Sequence, residues 1–300
     1  MVPITIGVPV RDGADLLDES LACLARQTFP DFKVLILDNA SADATPRIAS
    51  AWASRDPRFE HIRHSRDIGP LANFRAALLA ANSRWFLWRA DDDLSADNYL
   101  ETLHALATTS PGCKLAVGNV LSCDLDGGRR RLSEAAGGED VASAAGRLRM
   151  LFAYHPSWFY GLWDRQTLLD AYLPVCRNFP FAYASDHLTL YGPIVDGAVR
   201  TTTGTQFIQR TRRTAETPRR GTRMPFRVMV RARRAFRGEL RRMRAERAMP
   251  LGLRAALLAS EPFYLERTVP SLMKMARAGM RELIGCGGSG GTGRHFEPNA

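Results

Sequence analysis

Residues 33–45 read Lys33-Val-Leu-Ile-Leu-Asp-Asn-Ala-Ser-Ala-Asp-Ala-Thr45. Val34 to Leu37 form an unbroken apolar run, the pattern of a strand buried on both faces. The run stops at Asp38, a polar turn follows, and residues 45–54 take up helical spacing with Pro46 suited to a first turn. Ser41 and Asp43 are placed to satisfy the free N–H groups of that helix. Outward in both directions the pattern repeats. Residues 4–10 read as a buried strand, and 14–26 as a helix with Leu16, Leu17, Leu21 and Leu24 on one face. Downstream come a strand over 59–64, a helix over 71–81, a strand over 85–89, a helix over 97–108 and a strand over 114–121. This alternation predicts an α/β fold, a mostly parallel sheet flanked by helices. Ligands of such sheets bind outside the carboxyl ends of the strands. Asp38 stands at one such end and Asp91-Asp92-Asp93 at another.

Beyond residue 121 the pattern loosens. Residues 124–140 hold two Gly pairs and read as an exposed loop. A helix is expected over 146–154, an aromatic strand over 158–164, a short helix to Tyr172 and another helix over 185–194. Residues 199–203 and 205–209 read as a hairpin. Helices are expected over 225–249, 251–259 and 269–284, and the Gly-rich residues 285–300 read as disordered. The division expected is therefore 1–213, 214–284 and 285–300.

The chain has 300 residues, of which 45% are hydrophobic and 24% charged, which excludes collagen-like and disordered classes. Five scattered cysteines, none in C-x-x-C spacing, argue against a disulfide framework or a zinc site and for a reduced, cytoplasmic setting. The first residues show no signal-peptide pattern. No apolar run reaches the length of a membrane-spanning helix. Charge is unevenly spread: 21 basic and 7 acidic residues from Arg210 onward, against 20 and 24 before it. A basic C-terminal segment on a mildly acidic domain points to an anionic partner.

Three adjacent carboxylates at a strand end suit a hard divalent cation, since Mg²⁺ typically takes one or two carboxylates together with substrate phosphates. The same tripeptide also suits a solvated helix-capping turn. Asp38 is able to accept from a nucleobase imide or a ribose hydroxyl. The aromatic cluster Trp158, Phe159, Tyr160 and Trp163 fits either core packing or stacking on sugar faces. In Tyr183-Ala-Ser-Asp-His187, Asp186 is either a helix first-turn acid or a general base, with His187 as its rival.

Several segments in order resemble family 2 of the nucleotide-sugar glycosyltransferases: Ile6-Gly-Val-Pro-Val-Arg11, Leu21-Ala-Cys-Leu-Ala-Arg-Gln-Thr-Phe-Pro-Asp-Phe32, Leu37-Asp-Asn-Ala-Ser-Ala-Asp-Ala-Thr45, Asp67-Ile-Gly-Pro-Leu-Ala-Asn-Phe74 and Trp85-Phe-Leu-Trp-Arg-Ala-Asp-Asp-Asp93. The likeness is good over residues 3–121 and looser over 158–213. It implies the GT-A fold and transfer of a sugar, with inversion, from a nucleotide diphosphate-sugar to an acceptor hydroxyl in glycan, polysaccharide or glycolipid biosynthesis. It also implies roles. Pro9, Val10 and Arg11 line the nucleotide, Asp38 reads the base or ribose, and Asn73 passes near the ribose-phosphate. Asp91 and Asp93 hold Mn²⁺ or Mg²⁺, Asp91 thereby also meeting the donor, and Asp186 is the base. Family members show D-x-D-D with Arg89 aligned to the first Asp, so Asp92 competes for a place in the metal pair.

The Arg-rich segment suits an anionic membrane surface, met peripherally at its inner face, and equally a solvated helical face packed on the acidic domain; too few aromatics interleave with the arginines for a single-strand nucleic-acid platform. The alternatives are a GT-A-like scaffold without catalysis, bound to membrane or nucleic acid through that segment, and nucleotidyl transfer onto a sugar phosphate. Gly7-Val-Pro-Val-Arg-Asp-Gly13 matches the phosphate loop of the latter class poorly.

Overall fold

Strand β1 (Ile4–Val10) is buried at every residue and sits inside a mixed sheet, parallel to β2 (Phe32–Asp38) on one side and to β4 (Trp85–Trp88) on the other. The computed structural model describes residues 2–125, 129–135, 140–211 and 224–283. Between these strands run α1 (Leu17–Ala25), α2 (Thr45–Arg55) and α3 (Pro70–Ala80), with β3 (Phe59–Arg63) parallel to β2. The remainder of the sheet uses β5 (Leu94–Ser95), β6 (Leu115–Asp124), β7 (Arg130–Ser133), β8 (Leu162–Asp164) and β9 (Val199–Thr211), and its order is β3-β2-β1-β4-β8-β6-β9-β5 with β7 paired to β6. Helices α4 (Tyr99–Thr109), α5 (Ala144–Ala153), α6 (Arg165–Asn178) and α7 (Ser185–Val195) cover its faces.

The register fixes which residues meet at the carboxyl edge. Val10 is opposite Asp38, and Gly7 is opposite Trp88, so the ends of β1, β2 and β4 lie side by side. Gln27 anchors the next turn: its amide donates to Ala96 O at 2.9 Å and accepts from Leu100 N at 3.0 Å. In the core, Trp88 stacks on Phe159 at 4.5 Å between centroids and 10° between planes. Such pairs contribute about 0.5–1.5 kcal/mol beyond the area they bury.

Three expectations need correction. The aromatic segment 158–164 is not one strand. Pro156–Tyr160 forms a 3₁₀ helix, and only Leu162–Asp164 pairs in the sheet, antiparallel to both β4 and β6. Residues 199–209 are not a hairpin. β9 runs unbroken through Gly204 beside β6 and absorbs a register shift between Val117 and Asn119. Gly118 permits that shift, since a Cβ there would lie 2.7 Å from Thr205 O. The segment 124–140 is not all loop, because β7 folds back onto β6.

The C-terminal helices are α8 (Phe226–Ala245), α9 (Leu251–Thr268) and α10 (Leu272–Leu283). Ala232, Phe236, Leu240, Met243, Leu257 and Tyr264 belong to the same hydrophobic cluster as the sheet. α8 and α9 therefore complete the core. The expected boundary at 213/214 and the Gly-rich residues 285–300 lie outside the described residues. Among the described residues, no helix is long and apolar enough to cross a membrane.

Candidate active site

Two loops at the carboxyl edge are knitted together by their own polar side chains. Gly13 N donates to Thr45 Oγ1 at 3.0 Å, Asp12 N to Ser41 Oγ at 3.0 Å, and Ala42 N to Asp12 Oδ1 at 2.8 Å. Asp43 accepts from Thr45 N at 2.9 Å and from Ala14 N at 3.0 Å. Ser41 thus serves the first loop and not the helix end expected for it. Asp12 and Ala40 hold φ of 49° and 56°, left-handed values that non-glycine residues adopt only when the surroundings enforce them.

Asp38 ends β2 with its side chain fully buried. Oδ1 accepts from Ser41 N at 2.9 Å. Oδ2 lies 3.4 Å from Arg63 Nε and 3.6 Å from His61 Nε2 but has no hydrogen-bond partner among the described residues. A buried carboxylate oxygen without a donor is uncommon and asks for an explanation, a ligand being one. Pro9 and Val10 are the buried last residues of β1, while Arg11 is exposed and pairs with Asp67. Asp67 is strapped to the Asp38 turn through Asn39, whose Nδ2 donates to it at 2.6 Å and whose Oδ1 accepts from Ile68 N at 2.9 Å. Asn73 is buried. Its amide donates to Leu37 O at 2.9 Å and its Oδ1 meets His64 Nε2 at 3.0 Å, so its side chain ties the segment to β2.

The triple Asp follows β4. Asp91 lies directly over the first loop: a Cβ on Gly13 would come 2.1 Å from its Oδ2, so that carboxylate occupies the space a side chain would fill. Asp93 points into the protein, 4% exposed, and its Oδ1 accepts Arg210 N at 2.7 Å. Burial, and then the charge of Asp92, push its carboxyl up to about 7 against the pull of Arg210 and Arg89. Arg89 is fully buried beneath the turn. It donates Nη2 to Ser95 Oγ at 2.7 Å, while its Nε and Nη1 have no hydrogen-bond partner among the described residues. Arg210 donates from its guanidinium to Asp92 O and pairs with Glu19.

Asp186 sits in the first turn of α7 and accepts His187 N at 2.8 Å. Ala184 before it holds φ 63° at a buried position. A cavity of about 250 Å³ opens here, lined by Phe74, Ser157, Phe159, Tyr160, Tyr172 and Asp186 among others. Ser157 Oγ is buried without a hydrogen-bond partner among the described residues. Tyr160 links the two carboxylate groups. Burial first, then the charges of Asp93, Asp186, Asp92 and Asp91, raise its hydroxyl well above the ordinary value, so one side chain feels both the turn after β4 and Asp186. His187 faces inward: Nδ1 meets the Tyr154 hydroxyl, which in turn bonds the Tyr264 hydroxyl of α9 at 2.9 Å. Burial holds His187 below its ordinary value.

Asp38, Pro9, Val10, Arg11 and Asp91 thus share one edge with Asp93, and Asp186 lines a cavity with Tyr160. Arg89, Arg210 and Ser157 were given no role from sequence alone. Nothing local marks Arg210 or Ser157, whose importance comes from contacts made across the chain.

The sequence profile of the family described as Glycosyl transferase family 2 matches residues 5–167. The succinoglycan biosynthesis protein ExoO of Rhizobium meliloti is 29% identical over 133 residues, 44% of this chain and 37% of that protein. The uncharacterized protein Rv1520 of Mycobacterium tuberculosis is 41% identical over 73 residues, 24% of this chain and 21% of that one. The chain thus spans well under half the length of these curated relatives. Among solved structures, S. aureus TarS 1-349 in complex with UDP-GlcNAc superposes with a TM-score of 0.62 at 14% identity, covering 88% of this chain and 71% of that one. The mannosyltransferase PcManGT from Pyrobaculum calidifontis, in complex with GDP-Man and Mn²⁺, gives 0.54 at 18% identity over 96% and 76%. These likenesses show a shared fold.

Proposed function

The chain belongs to glycosyl transferase family 2 and has the GT-A fold, and from that premise we propose that it moves a sugar from a nucleotide diphosphate donor to an acceptor hydroxyl, with inversion, in the building of a polysaccharide or related glycan. The observation that carries this reading is Asp186, in the first turn of α7, lining an aromatic-walled cavity in a fold whose carboxyl edge carries Asp38 and the Asp91–Asp93 turn. The complexes with UDP-GlcNAc and GDP-Man support the donor class, and the name of ExoO supports the polysaccharide setting.

Asp38 would accept from the nucleoside through Oδ2, its Oδ1 being held by Ser41. The first loop, from Pro9 through Arg11, would follow the nucleotide along the carboxyl edge, and Asn73 would fix the opposite wall. Among the described residues, no three His, Cys, Asp or Glu side chains cluster as a closed metal cage. A site of one or two carboxylates completed by diphosphate oxygens fits Mg²⁺ or Mn²⁺ better. Asp91, stacked over Gly13, and Asp93, anchored through Oδ1, are the side chains that would hold such a cation. When bound, the cation supplies charge neutralisation to the leaving diphosphate. Arg89, buried beneath the turn, offsets part of the carboxylate charge whether or not a cation is present.

Across the cavity, Asp186 would take the proton of the acceptor hydroxyl as it attacks. The aromatic lining of Phe74, Phe159, Tyr160 and Tyr172 suits the apolar face of a sugar.

A melting-temperature screen of UDP, GDP and their sugars, with and without Mn²⁺, tests the reading. A ligand at 100 times its Kd adds about 2.7 kcal/mol of stability. At least one nucleotide diphosphate should raise the midpoint, and more with Mn²⁺. No response to any of them contradicts the proposal.

A further inference from the structure

The arginines of α8 divide into two populations. Those on its inner flanks are spent on structure. Arg233 pairs with Glu266, Arg237 and Arg244 with Glu261, and Arg242 with Glu239 and Glu246; just past the helix, Arg247 pairs with Asp196. Arg227, Arg231, Arg234 and Arg241 are different. All four are exposed, and none pairs with a carboxylate among the described residues. Their spacing of four, three and seven residues puts them within about 80° of one another around the helix axis. The buried side chains Phe236 and Met243 lie on the opposite side of the helix. The one glutamate of α8, Glu239, is buried, and Glu246, the residue after the helix, is occupied by Arg242.

α10 packs against the start of α8, where Gly279 approaches the Phe226 ring to within 3.5 Å of where a Cβ would sit. Its exposed surface carries Leu272, Met273 and Met280 beside Lys274 and Arg277. Large apolar side chains fringed by basic ones, on a helix that already has a packing partner, match an interfacial element that sinks its apolar face into the headgroup layer. A polyphosphate such as DNA would engage the arginines but leave these leucine and methionine side chains in water.

We propose that the outer face of α8, together with the exposed face of α10, docks on an anionic lipid bilayer. Four guanidiniums on one face, paired with no carboxylate among the described residues, provide the electrostatic attraction, and Leu272, Met273 and Met280 provide the insertion. None of these residues lines the cavity of Asp186.

Cosedimentation of the full chain with vesicles of phosphatidylcholine, with and without phosphatidylglycerol, tests this. Each basic residue near an anionic surface strengthens binding by up to about fivefold. The quadruple variant R227Q/R231Q/R234Q/R241Q should therefore lose more than about tenfold in affinity for phosphatidylglycerol vesicles at an unchanged melting temperature. The matching Arg→Lys variant should retain binding, because charge and not guanidinium geometry is what the surface reads. L272Q/M273Q should weaken binding without changing its salt dependence. Equal binding to neutral and anionic vesicles, or unchanged binding by the Arg→Gln variant, overturns the proposal. Tighter binding to duplex DNA than to phosphatidylglycerol vesicles, lost in the same variant, overturns it in favour of nucleic acid.

Discussion

The carboxylate of Asp93 accepts the backbone N–H of Arg210 at 2.7 Å. The bond joins the turn after β4 to the far end of β9. The Arg210 side chain continues the link by donating to Asp92 O and pairing with Glu19 on α1. The shape of the triple-Asp turn is thus set by a strand more than a hundred residues later in the chain.

Gly13 is where that turn meets the first loop. Gly13→Ala would press a methyl against Asp91 Oδ2, a movable side-chain end, and against Val10 Cγ2 at 2.8 Å. The variant should fold, with a melting temperature close to the parent's, yet lose Mn²⁺-dependent nucleotide affinity by about tenfold or more. Calorimetric titration with and without Mn²⁺ checks this. Unchanged affinity would mean that Asp91 does not contribute to the donor site.

Asp38→Asn keeps an oxygen for Ser41 N and removes the charge facing Arg63 and His61. If Oδ2 receives a donor from the nucleoside, the lost charge-assisted bond should cost about 1.5–3 kcal/mol of nucleotide affinity. Affinity for the nucleoside diphosphate should fall accordingly, while inorganic diphosphate is affected far less. Equal losses for both would remove Asp38 from base or ribose recognition.

Glu261 is 5% exposed and takes both Arg237 and Arg244, the latter itself buried. Glu261→Leu strands Arg244 without a carboxylate. Breaking a buried pair from one side costs about 3–5 kcal/mol, which urea unfolding would resolve. A loss below about 1 kcal/mol would mean that α9 is not held to α8 by this pair.

His155 caps the 3₁₀ helix at the cavity rim, its Nδ1 accepting Ser157 N at 3.1 Å. Burial, then the charges of Arg131, Arg267 and His187, push it down to about 4. Unfolded histidine titrates near about 6.5. Between the two values the unfolded chain binds a proton that the folded one does not, so stability present above about pH 6.5 is lost as the pH falls toward 4. Melting temperature should drop over that window, and less steeply in His155→Gln. Identical pH profiles would contradict the burial of a neutral imidazole.

The parallel half of the sheet was legible because each of its strands is an apolar run closed by a polar turn, as Val34 to Asp38 shows. Two errors share a cause. Trp158, Phe159 and Trp163 are all buried, which resembles a strand buried on both faces, but Pro156 opens a 3₁₀ turn and β8 is only three residues long. Gly204 resembles a hairpin turn, yet β9 stays on β6 because Gly118 lets it pass. In each case a distant neighbour overrides the local signal. The arginines of α8 were legible as charge but not as two populations, since the carboxylates that consume half of them include Glu261 and Glu266 on α9. Asp38, Asp91 and Asp186 were found at strand and helix ends; Ser157 and Arg210 acquire their places through long-range packing alone.

The central claim, that this chain transfers glycosyl groups with Asp186 as base, is tested most directly by the release of nucleoside diphosphate from a sugar donor by the parent and by Asp186→Asn. Asn keeps the shape and the acceptor for His187 N but not the basicity. A positioned base contributes typically about 10²–10⁴-fold. Turnover should fall by that factor, while donor Kd and melting temperature stay where they were. Turnover close to the parent's, with donor affinity intact, would contradict the assignment.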